Sequence, residues 1–383
     1  MGRALRHRIR DSIGHGARGA ASLAVLVFVI GTSGCASHRP AQLQLRPPAR
    51  VSSLRNAGGA QSLRLLSYNI WGLPGWMTGA RSGRYTRIAR ELERLDPDIV
   101  LLQEAWTAKA RKCAPANGSW WIARPDGQHT FFQQSGLMTL SKFPIIGGEF
   151  YPFSQAAFPD RVVCKGVLKT TICLPDGSIL NVWNVHLQEG GPPPVRQSQV
   201  HELIARVQAA EDGQIADLVG GDFNFTPESP LYRKLEQSLG PTVYNLGGDK
   251  PFVTWNKLSA KPGAGQTLDY FFVHKTPALQ SVEAFARVAF AALTPAQQLS
   301  DHLGLEAVVK LSAGAARVDL DGPVVQRRNK IGWLFPVELR TEVQVDDDCR
   351  DGKTDAGTEW CRPGLRPLSN AFEGERVGPA PSS

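Results

Sequence analysis

The chain is poor in cysteine, and its few cysteines are not spaced like zinc ligands. It has 6 cysteines in 383 residues, and no Cys-x-x-Cys pair occurs among them. Structural zinc sites usually draw on such pairs, so we do not expect one here. The length and a hydrophobic fraction of 42% are sufficient for one large globular domain or two ordinary ones.

The central part of the chain also lacks a strong excess of one charge. Of the formal net charge of +8, residues 1–35 and 36–60 contribute +4 each and residues 313–383 contribute −2, which leaves about +2 for residues 61–312. A protein that works on nucleic acid usually has a concentrated basic surface. We therefore expect no stable nucleic-acid partner.

The apolar run near the N-terminus, "AASLAVLVFVIG", is too short to span a bilayer comfortably. It follows five arginines and precedes "TSGCAS", an order typical of an export signal over residues 1–35. Ser33 and Gly34 before Cys35 resemble a bacterial lipoprotein signal, whose cysteine becomes the lipidated first residue. An ordinary signal cleaved after Ala36 is the alternative. We expect an exported protein, lipid-anchored at the cell envelope in the first case and periplasmic or secreted in the second.

Two flanking segments are predicted to lie outside the core. Residues 36–60 are rich in Pro, Arg, Ser and Gly, which favours a flexible linker. Residues 313–383 form a C-terminal extension in which Cys349 and Cys361 close a short acidic loop, a predicted disulfide in an exported protein. That loop does not fit a calcium-binding loop, because Glu359 falls one position too late.

The three remaining cysteines leave one thiol unpaired. Cys164 and Cys173 flank "KGVLKTTI" and are candidates for a bridge across a hairpin, with Cys113 left over.

Residues 61–312 read as alternating strands and helices. Apolar runs such as "LRLLSYNI", "DIVLLQEA" and "ILNVWNVHL" are typical of buried strands. "GRYTRIARELERL" has one apolar helical face, and "SPLYRKLEQSL" is a second helix with Ser229 as its N-cap before Pro230. This pattern predicts a layered α/β domain with two packed sheets.

Polar residues recur where these predicted strands end. Because the ends of neighbouring strands meet at one edge of a sheet, the set indicates a single site. Its members, in chain order, are Asn69, Glu104, His186, Asp222, Asn224, Asp269, Asp301 and His302.

The ordered motifs "SYN", "LLQE", "NVHL", "GGDFN", "LDY" and "SDH" resemble those of the endonuclease/exonuclease/phosphatase superfamily. Its members include DNase I-like nucleases, inositol polyphosphate phosphatases and neutral sphingomyelinases. The resemblance spans roughly residues 63–311 and implies a four-layer α/β/β/α sandwich, the DNase I-like fold, as the catalytic domain over residues 61–312.

Within that superfamily, "SYNIWGLPGW" resembles the first motif of neutral sphingomyelinases. "LSKFPI" and "DRVVCKG" resemble two further stretches of the same enzymes. The second marks Lys165 as a candidate phosphate contact or loop switch, with a solvated lysine in a hairpin as the alternative.

The residue types suit phosphodiester hydrolysis. Glu104 and Asn69 are candidate ligands of Mg²⁺ or another divalent cation. Either His302 or Asp222 is the general base, and Asp269 orients the imidazole of His302.

The other site candidates have supporting roles. His186 and Asn224 offer donors to phosphoryl oxygens, and Asp301 supports the waters of the metal. Gly220 and Gly221 are predicted to let the backbone approach a phosphate.

Aromatic residues also cluster in the predicted loops, where they either contact a lipid interface or pack inside the loops. They are Trp71, Trp76, Trp120, Trp121, Phe153 and Phe158, together with Met77.

We therefore predict an exported, Mg²⁺-dependent phosphodiesterase that cleaves sphingomyelin or related choline phospholipids in the manner of a phospholipase C. Its expected partner is a phospholipid membrane surface, and we expect a monomer. The alternatives are a secreted DNase I-like nuclease, an inositol-phosphate phosphatase, and a non-catalytic lipid-binding lipoprotein.

Overall fold

The structure is a computed structural model. It describes residues 40–41, 43–48, 61–74, 83–115, 118–125, 134–213, 215–248, 250–256, 265–274, 276, 279–290 and 297–313. The predicted export signal with Cys35, the bridge between Cys349 and Cys361, and the aromatic candidates Trp76 and Met77 lie outside these residues. Among the described helices, none has the length and hydropathy needed to cross a bilayer.

Two sheets form the centre of the described domain. The larger has seven strands in the order β1-β4-β5-β3-β2-β12-β11, and the smaller has five in the order β10-β9-β8-β7-β6. The strands are β1 Leu43–Arg46, β2 Gln61–Asn69, β3 Ile99–Gln103, β4 Trp121–Pro125, β5 Met138–Ser141, β6 Ile145–Pro152, β7 Gly166–Cys173, β8 Ile179–His186, β9 Ala216–Asp222, β10 Asp269–His274, β11 Leu279–Ala289 and β12 Gly304–Ala313.

Helices cover the outer faces of the two sheets. They are α1 Arg84–Leu95, α2 Pro193–Ala209, α3 Pro230–Leu239 and the short α4 Val243–Gly247. Ile88 and Leu92 of α1 pack with Leu66 of the larger sheet. Tyr232 of α3 contacts Phe272 of the smaller sheet, with ring centroids 5.8 Å apart. This arrangement confirms the predicted four-layer α/β/β/α sandwich.

Strand alternation explains why β2 is buried on both faces. Leu63 and Leu65 belong to the core between the sheets, whereas Leu66 and Tyr68 face α1. Between the sheets, Gln103 of β3 donates a hydrogen bond of 2.9 Å to the Asn184 side chain of β8, which links the two sheets through a buried polar pair. The predicted cap also forms, since the Ser229 hydroxyl accepts from the Leu231 amide at the start of α3.

The prediction of a flexible linker over residues 36–60 is wrong for part of that segment. β1 pairs antiparallel with β4, and Ala41 forms a bridge with Phe150. The missed signal is the alternation in "AQLQL", which places Leu43 and Leu45 on one face of the strand. Leu43 packs against the core, whereas Leu45, nearer the end of the strand, is exposed.

The predicted bridge between Cys164 and Cys173 is also wrong. "KGVLKTTI" does not turn into a hairpin but enters a single strand, β7, so the two cysteines lie about 30 Å apart at its opposite ends. A disulfide requires Cα atoms within about 7 Å. Cys173 and Cys113 are buried free thiols, and Cys164 is disulfide-bonded.

Candidate active site

The site lies where strands of both sheets end side by side. Asn69 ends β2, His186 ends β8, Asp222 ends β9 and Asp269 begins β10. In the sheet register Asp222 pairs with both His186 and Asp269. Glu104 follows β3 with a φ of 59°, a left-handed backbone that non-glycine residues adopt mainly at functional sites and turns.

Asp222 is the centre of the site's hydrogen bonds. One carboxylate oxygen accepts from the Asn69 amide at 3.0 Å, and the other accepts from the Asn224 backbone at 2.9 Å. The Nε2 atoms of His186 and His302 each lie 3.6 Å from Oδ2. Burial raises the pKa of Asp222 to about 6, so its carboxylate is mainly ionised at neutral pH.

His302 is held between two carboxylates. Its Nδ1 lies 2.9 Å from Oδ2 of Asp269, whose backbone amide donates to the Thr254 hydroxyl. Burial alone would lower the pKa of His302, but the carboxylates of Asp269 and Asp222 outweigh it and raise the pKa to about 10. The imidazole is therefore charged at neutral pH.

Glu104 and Asn69 have the chemistry of a magnesium site. Glu104 Oε1 accepts from Asn69 Nδ2 at 3.1 Å, and Trp106 Nε1 lies 3.4 Å from Oε2. Burial, followed by the charge of Asp301, raises the pKa of Glu104 to about 7. In the described part of the chain no three His, Cys, Asp or Glu side chains form a metal cluster. Mg²⁺ needs only one or two carboxylates because it keeps several waters, and these residues therefore fit it.

Lys165 lies inside the site rather than in solvent. Its ammonium pairs with Asp160 at 2.7 Å, with His186 Nε2 at 2.9 Å and with the Leu187 carbonyl at 3.0 Å. Burial and the nearby Lys165 charge hold the pKa of His186 well below its ordinary value. His186 is thus neutral, and Lys165, at 5% exposure, is not the solvated lysine of the alternative interpretation.

Asn224 and Asp301 lie at the edge of this network. Asn224 has a φ of 55°, and its side-chain amide donates to the Leu187 carbonyl at 3.0 Å. One N–H of that amide remains for another acceptor, since a carboxamide carries two. The Ser300 hydroxyl donates to the Asn69 carbonyl at 2.7 Å, and its oxygen lies 3.3 Å from Oδ1 of Asp301.

The two glycines of "GGDFN" serve packing between strands, and their approach to a phosphate stays a prediction. A Cβ on Gly220 would lie 2.4 Å from the ring of Phe271, and a Cβ on Gly221 would lie 2.0 Å from the Val185 carbonyl oxygen. The backbone of β9 therefore approaches its neighbours more closely than any side chain would allow.

Sequence reasoning missed several residues that support the site. Asp160 pairs with Lys165 and Arg84 binds the carbonyls of Ile70 and Leu299, contacts that no local pattern indicates. Trp106 stands two residues after Glu104, and its proximity to a motif residue is a signal that could have found it.

The predicted aromatic cluster divides in the structure. Trp120 and Phe153 are buried at 4% and 6% exposure, whereas Phe158 is 67% exposed. Trp71 is partly exposed, and its ring lies against the Arg84 guanidinium.

The chain is similar in sequence to enzymes of sphingolipid breakdown. It is 32% identical over 186 residues to an inositol phosphosphingolipids phospholipase C of Schizosaccharomyces pombe, covering 44% of this chain and 43% of that protein. It is 30% identical over 203 residues to sphingomyelin phosphodiesterase 5 of Danio rerio, covering 43% and 37%. The chain thus spans less than half the length of these curated relatives.

Solved structures share the fold. An endonuclease/exonuclease/phosphatase from Bacteroides vulgatus has a TM-score of 0.55 at 19% identity, covering 66% of this chain and 100% of its own. Sphingomyelinase C from Streptomyces griseocarneus has a TM-score of 0.50 at 18% identity, covering 65% and 99%. At these identities the likeness concerns the fold alone.

The family model described as "Endonuclease/Exonuclease/phosphatase family" matches residues 66–302, which is more than half of the chain. The matched segment begins in β2 and ends at His302, so it contains every predicted site residue. The chain belongs to the endonuclease/exonuclease/phosphatase family.

Proposed function

We propose that the protein hydrolyses the phosphodiester of sphingomyelin or a related choline phospholipid and releases the phosphorylated headgroup. The observation that carries a phosphodiester hydrolase is the pairing of a charged His302 with an ionised Asp222, beside Glu104 and Asn69. Similarity to an inositol phosphosphingolipids phospholipase C and to a sphingomyelin phosphodiesterase supports a sphingolipid as substrate. Export, a lipid anchor at Cys35 and a monomeric state are part of the same proposal.

The charge states of Asp222 and His302 determine which of them accepts a proton and which donates one. Asp222 accepts a proton from the attacking water as the water oxygen bonds to phosphorus. The bond from phosphorus to the lipid oxygen breaks, and His302 gives its Nε2 proton to that departing oxygen. Asp222 Oδ2 lies 3.6 Å from His302 Nε2, so the accepted proton can return to the imidazole and restore the starting state.

The remaining residues hold this arrangement and complement the developing charge. Asp269 keeps His302 oriented and charged, as carboxylates do for catalytic histidines. The Lys165 ammonium and the free N–H of Asn224 offer positive charge and a donor to phosphoryl oxygens. Glu104 and Asn69 would hold Mg²⁺, which supplies polarisation of a phosphoryl oxygen when bound.

The full chain should be incubated with sphingomyelin vesicles, plasmid DNA and an inositol polyphosphate, each with Mg²⁺ or with EDTA. We expect EDTA-sensitive release of phosphocholine from sphingomyelin. Nicking of DNA without headgroup release would make the protein a nuclease, and phosphate release from the inositol substrate would make it a phosphatase. Lack of EDTA-sensitive turnover on all three would favour a lipid-binding protein.

His302→Ala should reduce that turnover by at least about 100-fold, because it removes the proton donor. The matched control is His201→Ala, an exposed histidine of α2 that should leave turnover unchanged. Circular dichroism should show both variants folded. Substantial residual turnover in His302→Ala would contradict its role.

A further inference from the structure

Phe158 is the most exposed large hydrophobic side chain among the described residues. It is 67% exposed, compared with 48% for Phe285 and 42% for Leu45. Phe285 and Leu45 lie on edge strands of the larger sheet, whereas Phe158 lies in the loop between β6 and β7. β7 runs antiparallel to β8, which ends at His186, so this loop lies at the active-site end of the smaller sheet.

Hydrogen bonds fix the backbone of this loop on both sides of Phe158. The Ser154 hydroxyl and amide donate to Glu202 at 2.6 and 2.9 Å, and the Ala157 amide donates to Gln188 at 2.8 Å. After Phe158, the Arg161 amide donates to the Ala157 carbonyl at 2.9 Å. The ring is therefore presented to solvent by a fixed backbone, and the loop does not fold back to bury it.

A second uncharged segment extends this surface. Gly190, Gly191 and residues 192–194, all proline, are exposed. A Cβ on Gly191 would lie 3.1 Å from that of Ala157, so the two loops touch. We call residues 154–161 and 189–194 together the Phe158 surface.

The charges in and beside the Phe158 surface balance. Arg161 and Glu189 are the exposed charges within it, and Arg196 and Glu202 flank it on α2. Asp160 also lies within it but is buried and paired with Lys165. Arg196 donates to the Gly190 carbonyl and Glu202 accepts from Ser154, so these two side chains are held in place. An apolar surface without net charge suits a zwitterionic partner better than an anionic one.

The Phe158 surface is joined to the active site by hydrogen bonds. Asp160, two residues after Phe158, accepts from the Glu189 amide at 2.6 Å and pairs with Lys165 at 2.7 Å. Lys165 in turn contacts His186 at 2.9 Å. Whatever binds the Phe158 surface therefore lies beside the active site.

We propose that the Phe158 surface docks on a zwitterionic phospholipid bilayer, with the Phe158 ring inserted at the boundary between headgroups and acyl chains. Aromatic rings are favourable at that depth, and insertion removes an exposed apolar side chain from water. The choice of a lipid surface rests on the proposed function. A second copy of the chain is the competing occupant.

Insertion can be measured without turnover. Phe158→Trp and Phe285→Trp in the full chain are mixed, in EDTA, with phosphatidylcholine vesicles carrying brominated acyl chains, which quench tryptophan on contact. Relative to the unmodified chain, Phe158→Trp should show additional quenching and Phe285→Trp should not. Both variants carry the same N-terminal segment, so its membrane affinity is common to them. Lack of additional quenching in Phe158→Trp would overturn the proposal.

The partner's charge and identity are tested with the same variants. Replacing a third of the lipid by an anionic phospholipid should change the quenching by less than about twofold, and a large increase would overturn the zwitterionic preference. Sedimentation of Phe158→Ser should match that of the unmodified chain. Conversion of a dimer to a monomer would instead assign the surface to a second copy.

Turnover separates this proposal from the proposed function. Phe158→Ser should lower hydrolysis of sphingomyelin vesicles about 10-fold, as expected for losing most of one buried phenyl ring, and leave hydrolysis of soluble bis(p-nitrophenyl) phosphate unchanged. Equal hydrolysis of the vesicles by Phe158→Ser and by the unmodified chain would overturn the proposal. If the unmodified chain hydrolyses neither substrate, the proposed function fails while the quenching experiment still decides membrane docking.

Discussion

At the scale of single residues, the site depends on oppositely charged side chains that are buried side by side. Asp269 and Asp222 both face the buried imidazole of His302, at 2.9 and 3.6 Å. Their combined charge outweighs the cost of burying an imidazolium. The sequence left the general base open between His302 and Asp222, and the proposed mechanism takes Asp222 because the raised pKa of His302 leaves that imidazole protonated at neutral pH.

Asp269→Asn should change the pH dependence of turnover in a specific direction. Without the carboxylate, the pKa of His302 falls from about 10 toward its ordinary value, so the imidazolium is lost at lower pH. The alkaline limb of kcat should therefore move to lower pH. Asp176→Asn, in the turn before β8 at the strand end opposite His186, should leave the profile unchanged. Movement of the acid limb instead would make His302 the proton acceptor.

Arg84 is a buried residue that joins two site loops. It is 5% exposed and donates to the carbonyls of Ile70, Leu299 and Trp71 at 3.0, 2.9 and 2.7 Å. It thereby links the segment after Asn69 to the segment that carries Asp301 and His302.

Arg84→Met should lower the free energy of unfolding by about 3 kcal/mol, because it leaves two buried carbonyls and one partly buried carbonyl without this donor. Urea denaturation measures this. Arg90→Met, an exposed position on the same helix, should change it by less than about 0.5 kcal/mol. An equal effect of the two substitutions would contradict the linking role of Arg84.

At the scale of secondary-structure elements, the close pairing of β8 with β9 sets the position of the catalytic strand ends. Gly221 has a φ of 143°, and its backbone lies directly against Val185. This contact fixes the register of the two strands, so that the next residues along them, His186 and Asp222, lie side by side.

Gly221→Ala should destabilise the fold by about 3 kcal/mol or more, since the new Cβ meets a backbone oxygen in a conformation that favours glycine. The comparison is Gly147→Ala in β6, where a Cβ meets nothing within 4 Å. Thermal unfolding of the two variants provides the measurement. A Gly221→Ala protein as stable as Gly147→Ala would show that β8 and β9 can separate at little cost.

Element prediction succeeded where one face or both faces of a segment were strongly apolar. The helical stripe of Tyr85, Ile88 and Leu92 is buried in α1 as the spacing predicts. β1 was missed because its four residues are too few to show a clear strand pattern. The prolines and arginines around them instead favoured the prediction of a linker. The pairing of Cys164 with Cys173 was wrong because an apolar stretch between two cysteines does not distinguish one strand from a hairpin.

At the scale of the whole molecule, the proposed cation site would link cation binding to the stability of the fold. A ligand that binds only the folded state stabilises it by an amount that grows with its concentration over its dissociation constant.

Mg²⁺ at about ten times its dissociation constant should stabilise the full chain by about 1.4 kcal/mol, a rise in Tm of about 3 to 6 °C. The rise should disappear in Glu104→Gln, which lacks the carboxylate ligand. It should persist in Glu93→Gln, an exposed position on α1. Scanning calorimetry with Mg²⁺ and with EDTA measures both. An equal shift in Glu104→Gln would place the cation elsewhere.

The sequence by itself determined the layered α/β class, the helices and most strands, and the set of polar residues at the strand ends. These properties follow from local periodicity and from the rule that side chains at strand ends share one edge of a sheet. Only the tertiary structure decided that Lys165 lies inside the site, that Gly220 and Gly221 serve packing, and that Phe158 but not Phe153 faces solvent. Each of these depends on contacts between residues distant in the chain, and no local pattern encodes such contacts.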